Sequence, residues 1–301
     1  MFLDTYIAAG AIPYKYDATE GTVQSGYAYW RNYLAEKSVR LFDWEETEEI
    51  PEDEFEKVLM FNGMGFGTRY KGEKCILNCN WAGDTTLYYD RWKQVSVRSP
   101  LDSGVLTIGK NGILFRNNSL CTSILPLIHR YALMLAHTDT TYIDTMINAR
   151  GASGVAVCGN EKQLQSYTEY RNSLANGKVR PVSDPAYLGI QFATSNSTLT
   201  INPKDIMEVR QDLLCSFYND IGVRSNRTKK SNMIQAEVQQ DDQMLLLNLE
   251  DMLECRERAC DEFNARYGTH MTVKKSKELE QMEEANYGES NNPGTLQNKP
   301  E

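Results

Sequence analysis

Between Asn202 and Gly268 the chain sets two helical periodicities on either side of a segment that has none. That arrangement constrains the fold more than any other feature. Asn202-Pro203 reads as a helix start, an N-cap followed by proline at the first helical position, where its missing N–H costs nothing. Ile206, Val209, Leu213, Phe217 and Ile221 recur on one face, and Gly222 stands where a left-handed residue ends such a helix. The second run, from Met244, puts Leu245, Leu249, Met252, Cys260, Phe263 and Tyr267 on one face and closes at Gly268. The intervening residues, 223–243, have no apolar period. No acidic residue occurs from Ile221 to Ala236, yet Arg224, Arg227, Lys229 and Lys230 cluster there. The reading is a positive loop held between two helices.

The chain as a whole is acidic, with 41 Asp and Glu against 32 Lys and Arg and a net charge of −9. Wrapping nucleic acid by bulk attraction is therefore excluded, and any such contact must be local. At 301 residues the chain is long enough to bury a full core. Seven cysteines without framework spacing point to free thiols in a reducing compartment. The start, Met1-Phe2-Leu3-Asp4, has no basic n-region and no long apolar run, so neither a signal peptide nor a membrane span is expected. These features describe a soluble intracellular protein.

In order, residues 1–22 read as an extended arm. A helix is expected over about Val23–Phe42, with Tyr27, Trp30, Leu34 and Leu41 on one face. An acidic run from Glu45 to Glu56 follows, and part of it favours the dipole of a helix over Glu52–Asn62. Next come strands around Lys74–Trp81, Gln94–Arg98, Gly104–Ile108 and Gly112–Phe115, the last two joined by a hairpin-like turn at Gly109-Lys110-Asn111. A long helix from about Ser123 to Asn148, roughly 35 Å long, has only a narrow apolar stripe: Ile128, Ala132, Leu135, Tyr142 and Met146. Such a stripe suits packing in an assembly. Residues 151–202 form a compact insert in the order strand, helix, strand, as in a βαβ-like unit. A short strand (His270–Val273) and a charged stretch lead to a polar tail, 282–301, expected to be disordered. The fold class is α+β, mainly helical.

Enzymatic chemistry finds little support. Gly63, Gly65 and Gly67 follow a helix and precede none, so they read as a turn and not a phosphate loop. Cys75 and Cys79 lack a second ligand pair, and His129 and His137 are about 12 Å apart along one helix. No nucleophile elbow, Walker motif or paired-carboxylate signature is present. No metal and no cofactor is implied. The alternative to a structural role is a cytosolic enzyme or adaptor with the polar loop as a lid.

Particular residues carry a resemblance. Leu41-Phe42-Asp43-Trp44-Glu45, an acidic helix start, a small sheet, a long helix, the insert, a second long helix and a basic loop come in turn. Arg256-Glu257-Arg258-Ala259-Cys260-Asp261-Glu262-Phe263-Asn264-Ala265-Arg266-Tyr267-Gly268 then leads into Met271-Thr272-Val273-Lys274. Over roughly Tyr29–Lys277 this resembles the portal (upper collar or head–tail connector) protein of small short-tailed bacteriophages of the Picovirinae type. The resemblance implies a portal-type protomer: an α/β wing (23–122 and 244–281), stem helices (123–150 and 203–222), a clip (151–202) and a tunnel loop (223–243). It also implies a twelve-subunit ring at a capsid vertex in the virion. Its partners would be double-stranded DNA contacted without sequence preference, the major capsid protein, the tail or lower collar protein and the packaging motor. Arg224, Arg227, Lys229 and Lys230 would face DNA in the tunnel, with Lys204 at the stem. Relatives can grip a packaging RNA with a basic arm. Residues 1–22 contain one basic residue, Lys15, so an RNA partner is not carried over.

Overall fold

The structure, a computed structural model, describes residues 23–47, 50–87, 92–98, 103–149, 155–175, 185–193, 202–223 and 235–281. The chain divides into two compact units, Met1–Leu34 with Ile128–Leu214, and Ala35–Leu127 with Cys215–Glu301. The helices are α1 (Val23–Val39), α2 (Glu52–Asn62), α3 (Leu125–Ala149), α4 (Glu161–Ala175), α5 (Pro203–Asp220) and α6 (Gln235–Tyr267). The strands are β1 (Phe42–Glu45), β2 (Met64–Tyr70), β3 (Glu73–Thr85), β4 (Trp92–Arg98), β5 (Ser103–Thr107), β6 (Gly112–Arg116), β7 (Val155–Val157), β8 (Gln191–Ala193) and β9 (Thr272–Lys275). The class is α+β and mainly helical.

The second unit is built on an antiparallel sheet in the order β5-β4-β3-β2-β6. β2 and β3 meet through Lys71 and Gly72, both at positive φ, as a two-residue hairpin turn with the right-handed strand twist requires. β3 is shared: Glu73–Asn78 pairs with β2, and Cys79–Thr85 pairs with β4. One face carries an apolar cluster of Met64, Phe66, Cys79, Val95, Val97 and Leu114. On the other face Phe115 meets Phe55 of α2 and Phe263 of α6, with ring centroids 5.5 and 5.7 Å apart. Trp44 stacks on Phe55 at 4.4 Å, and β1, which holds it, pairs with β9.

Burial on that second face includes an ion pair. Arg256 of α6 is fully buried, and Glu56 of α2 is nearly so. The guanidinium donates from Nε and Nη2 to the two Glu56 oxygens, each at 2.8 Å. Nη1 donates to the Asn117 and Met252 carbonyls, and Nη2 also to Asn117 Oδ1, each at 2.9 Å. All five N–H groups of the arginine are thereby used. Trp44 Nε1 donates to Glu56 Oε1 at 2.8 Å, and the Phe42 ring lies 4.3 Å from the guanidinium carbon.

In the first unit α3 buries Ile128, Tyr131, Ala132, Leu135, Ala136 and Ile147. Gly26 of α1 lets that helix approach Ala136, whose Cβ lies 3.4 Å from where a Gly26 side chain would begin. α4 starts at Asn160, whose side chain accepts from the Gln163 N–H at 2.9 Å, while Gln163 Oε1 accepts from the Gly159 N–H at 2.7 Å. Leu174 packs with Ile147, Ile143 and Tyr170, and Arg171 reaches Asp144 at 2.5 Å.

Several expectations change. Gly65 and Gly67 lie in β2, not in a turn; a Cβ at Gly67 would stand 2.6 Å from Phe115 and 2.9 Å from Phe263. These glycines make room for helices on the sheet, and only Gly63, at φ +82°, caps a helix. The turn over 109–111 does not join a hairpin: β6 pairs with β2 and β5 with β4, at opposite edges. Arg266 and Tyr267 hold the turn's carbonyls, so pairing between neighbours in sequence loses to long-range pairing. β7 and β8 run antiparallel, from Val155↔Ala193 to Val157↔Gln191, so the insert is not a parallel βαβ crossover. The first helix ends at Val39, and Phe42 begins a strand. The last long helix begins at Gln235, nine residues before the sequence period becomes apolar, so residues 235–243 are helix and not loop.

Truncating Arg256→Ala leaves a buried carboxylate without its partner, at a cost of about 3–5 kcal/mol. The double change Glu56→Leu with Arg256→Met should cost less than the single truncation, as urea denaturation of the three proteins would measure. Burial, and secondarily the Cys121 thiol, pushes Cys79 up to about 12. Burial, and then Asp261 and Glu257, does the same to Cys260. The folded state thus holds protons that the unfolded chain releases near its ordinary thiol value of 9.0. Stability from these thiols is complete below that pH and is lost as pH rises towards 12. The urea midpoint should fall between pH 8.5 and 11, and less so in a Cys79→Ala, Cys260→Ala protein.

Candidate nucleic-acid interface

Arg224, Arg227, Lys229 and Lys230 lie outside the described residues. The structure does fix the chain on both sides of them. α5 begins where Asn202 Oδ1 accepts from the Lys204 N–H at 3.0 Å, and the Asn202 carbonyl accepts from the Asp205 N–H at 2.9 Å. At its other end Gly222 has φ +91°. The Val223 N–H reaches the Tyr218 carbonyl at 2.8 Å, and the Gly222 N–H reaches that of Asn219 at 2.9 Å. This pair of bonds is a Schellman ending. Ile221 and Val223 are buried at it, and Asn248 of α6 donates to the Asp220 carbonyl at 3.3 Å. The cationic segment therefore leaves a pinned helix end, and with α6 starting at Gln235 it spans 224–234.

Lys204 is exposed in the first turn of α5, with Nζ 3.9 Å from Glu208 Oε1. Asp205 stands beside it. A cation at a helix N-terminus opposes the macrodipole, whereas the two carboxylates suit it. Local charge at this end is thus net negative, and the structure does not bring Lys204 into a described basic cluster.

A constellation that periodicity could not find lies in the first unit. Trp30 Nε1 donates to Asp139 Oδ2 at 2.7 Å. Arg210 of α5 approaches Asp139 Oδ1 at 3.6 Å and stands 4.9 Å from the centre of the Trp30 ring. Three distant segments meet there, which no local sequence pattern records. Arg210 is engaged by its own unit. Nearby Tyr27 Oη and His129 Nδ1 are hydrogen-bonded, and burial, then the Arg31 charge, lowers the His129 pKa. A cleft of about 370 Å³ beside them is lined by Val23, Tyr27, His129, Arg130 and Leu133.

Not every face of α3 and α5 is covered. Val209, assigned to the apolar face by its spacing, is 50% exposed; Met207 is 41% and Leu133 46% exposed. Ile206 and Phe217 of α5 are buried as the spacing requires. Among the described residues no group of three or more His, Cys, Asp or Glu is placed to hold a metal ion. No described helix is long and apolar enough to cross a membrane.

No protein-family model matches the chain, and no curated protein matches it. Among solved structures it is similar to a chain in the portal and tail of native bacteriophage P68. The similarity has 15% identity and a TM-score of 0.42, and it covers 90% of this chain and 95% of that one. A likeness of that degree carries no inference about function.

Replacing Lys204 with Ala should change folding stability by less than about 0.5 kcal/mol, because an exposed i,i+4 pair is worth little. Chemical denaturation of the variant would show a midpoint close to that of the unchanged protein.

Proposed function

We propose that this chain is a non-enzymatic ring subunit, a portal or head–tail connector through which double-stranded DNA enters and leaves a capsid. The observation that carries the reading is the uncovered apolar surface on the long helices α3 and α5: Leu133, Met207 and Val209 are exposed on rods that bury Ile128, Leu135, Ile206 and Phe217. A head-to-tail contact between copies, closed by cyclic symmetry, would cover such faces.

In this reading α3 and α5 are the stem, and the antiparallel β7–β8 pair with α4 is the clip towards the tail. The five-stranded sheet with α2 and α6 is the wing. Symmetry repeats Arg224, Arg227, Lys229 and Lys230 around one axis, turning a short cationic segment into a collar that faces phosphates. Contact of this kind reads no sequence, and salt screens it within about 8 Å. The duplex can then slide forward while backward slippage is checked. Lys204 is a lesser contact because of its neighbouring carboxylates. The ring would be twelvefold, with the capsid protein, a lower collar protein and a packaging motor as its partners at the vertex.

Light scattering should give a mass near twelve times the 34.3 kDa of one chain. A monomer stable across micromolar concentrations would remove the basis of the proposal and return the basic segment to the lid reading. Changing Lys229 and Lys230 to Ala should leave the ring mass unchanged while weakening non-specific duplex binding and flattening its salt dependence. Equal DNA binding and equal salt slopes in the two proteins would take the tunnel role from these lysines.

A further inference from the structure

We propose that the outer edge of β6 is a docking site for an extended, carboxylate-bearing segment of another protein, added as a short strand. Among the described residues β6 is the last strand of its sheet. Which of its backbone groups face outward follows from three hydrogen bonds. The Asn117 N–H reaches the Gly63 carbonyl, and Thr68 Oγ1 reaches the Asn111 carbonyl, so the odd-numbered residues point their backbone groups at β2. The Gly112 carbonyl turns the other way and accepts from the Gly109 N–H at 2.8 Å. Alternation along the strand then directs the N–H and C=O of Leu114 and Arg116 away from β2. Among the described residues, the chain at Ile108 and Gly109 covers the Gly112 end of that edge.

A cleft of about 290 Å³ runs beside these groups, lined by Ile108, Leu114 and Arg116 and by Cys255, Arg258 and Glu262 of α6. α6 is tied down at both ends of β6. Arg266 Nη1 donates to the Gly109 carbonyl at 2.6 Å, and Asp251 Oδ2 accepts from the Ser119 N–H at 2.9 Å. An edge strand facing a fixed helix across a cleft is the geometry that accepts an extended peptide by strand addition. Main-chain bonds to Leu114 and Arg116 would supply affinity, and the cleft would choose side chains. Arg116 and Arg258 stand at the end nearer Ser119. Arg258 also reaches Glu254 at 2.5 Å on the exposed side of α6. Arg258 is thereby already paired, so the Arg116 guanidinium is the one that favours a carboxylate on the incoming strand, and Glu262, one turn further along, disfavours a second acid.

The test uses the full chain with an acetylated, amidated heptapeptide of alternating threonine and valine and a central glutamate. Amide hydrogen exchange is read residue by residue. Binding should slow exchange at Leu114 and Arg116 about tenfold. The same peptide N-methylated at alternate amides should not do so, because its main-chain donors are gone. Arg116→Ala should weaken the peptide about tenfold, with circular dichroism checking that the variant is folded. No slowing at millimolar peptide, or equal binding of the methylated peptide, overturns the proposal. So does slowing that appears without peptide, whether it grows with protein concentration, which assigns the edge to a second copy, or vanishes on deleting residues 282–301, which assigns it to the chain's own end.

Discussion

The second unit depends on one buried ion pair. Glu56 comes from a helix laid down early in the chain, Arg256 from one laid down 200 residues later, and Asn117 from the turn after the sheet's edge strand. A guanidinium taken out of water is tolerated only where its donors are met. Here each of its N–H groups has an acceptor, and Trp44 adds a donor to Glu56. The geometry leaves α2, α6 and the end of β6 one mutual placement. An apolar replacement of similar volume could fill the space but would not specify that register.

From that constraint the remainder of the unit follows. With α2 and α6 held against one face of the sheet, β2 must run beneath them, and only glycine at 65 and 67 lets the rings of Phe115 and Phe263 and the Val58 side chain come that close. The same placement fixes α6 along β6 and holds the 109–111 turn by its carbonyls. The two ends of α6 tie off a cleft, and among the described residues part of the β6 edge has no neighbouring strand. An exposed edge in a stable sheet is usually blunted or covered. Here the helix beside it offers a shaped and charged wall instead.

In the first unit the logic is different. α3 and α5 each bury part of their apolar residues and leave others to solvent, and the cations of α5 are held by nearby carboxylates. The strongly basic segment follows a Schellman ending that lies in the second unit, where Ile221 and Val223 are buried. A chain that is acidic elsewhere can thus present positive charge in one small region.

Local chemistry made much of this legible in the sequence. Proline after asparagine, a left-handed glycine, and apolar residues three and four apart placed α2, α3 and α5 to within a few residues, because each signal acts within one or two turns. Composition also singled out Arg224, Arg227, Lys229 and Lys230, which lie outside the described residues. What the sequence alone left open was pairing: that Gly65 and Gly67 belong to a strand, that β6 joins β2 and not β5, that β7 and β8 run antiparallel, and that Arg256 meets Glu56. These were decided only in the tertiary structure. The energy that selects each of them comes from groups tens or hundreds of residues apart, and it exists only once the packed interior has excluded water around them.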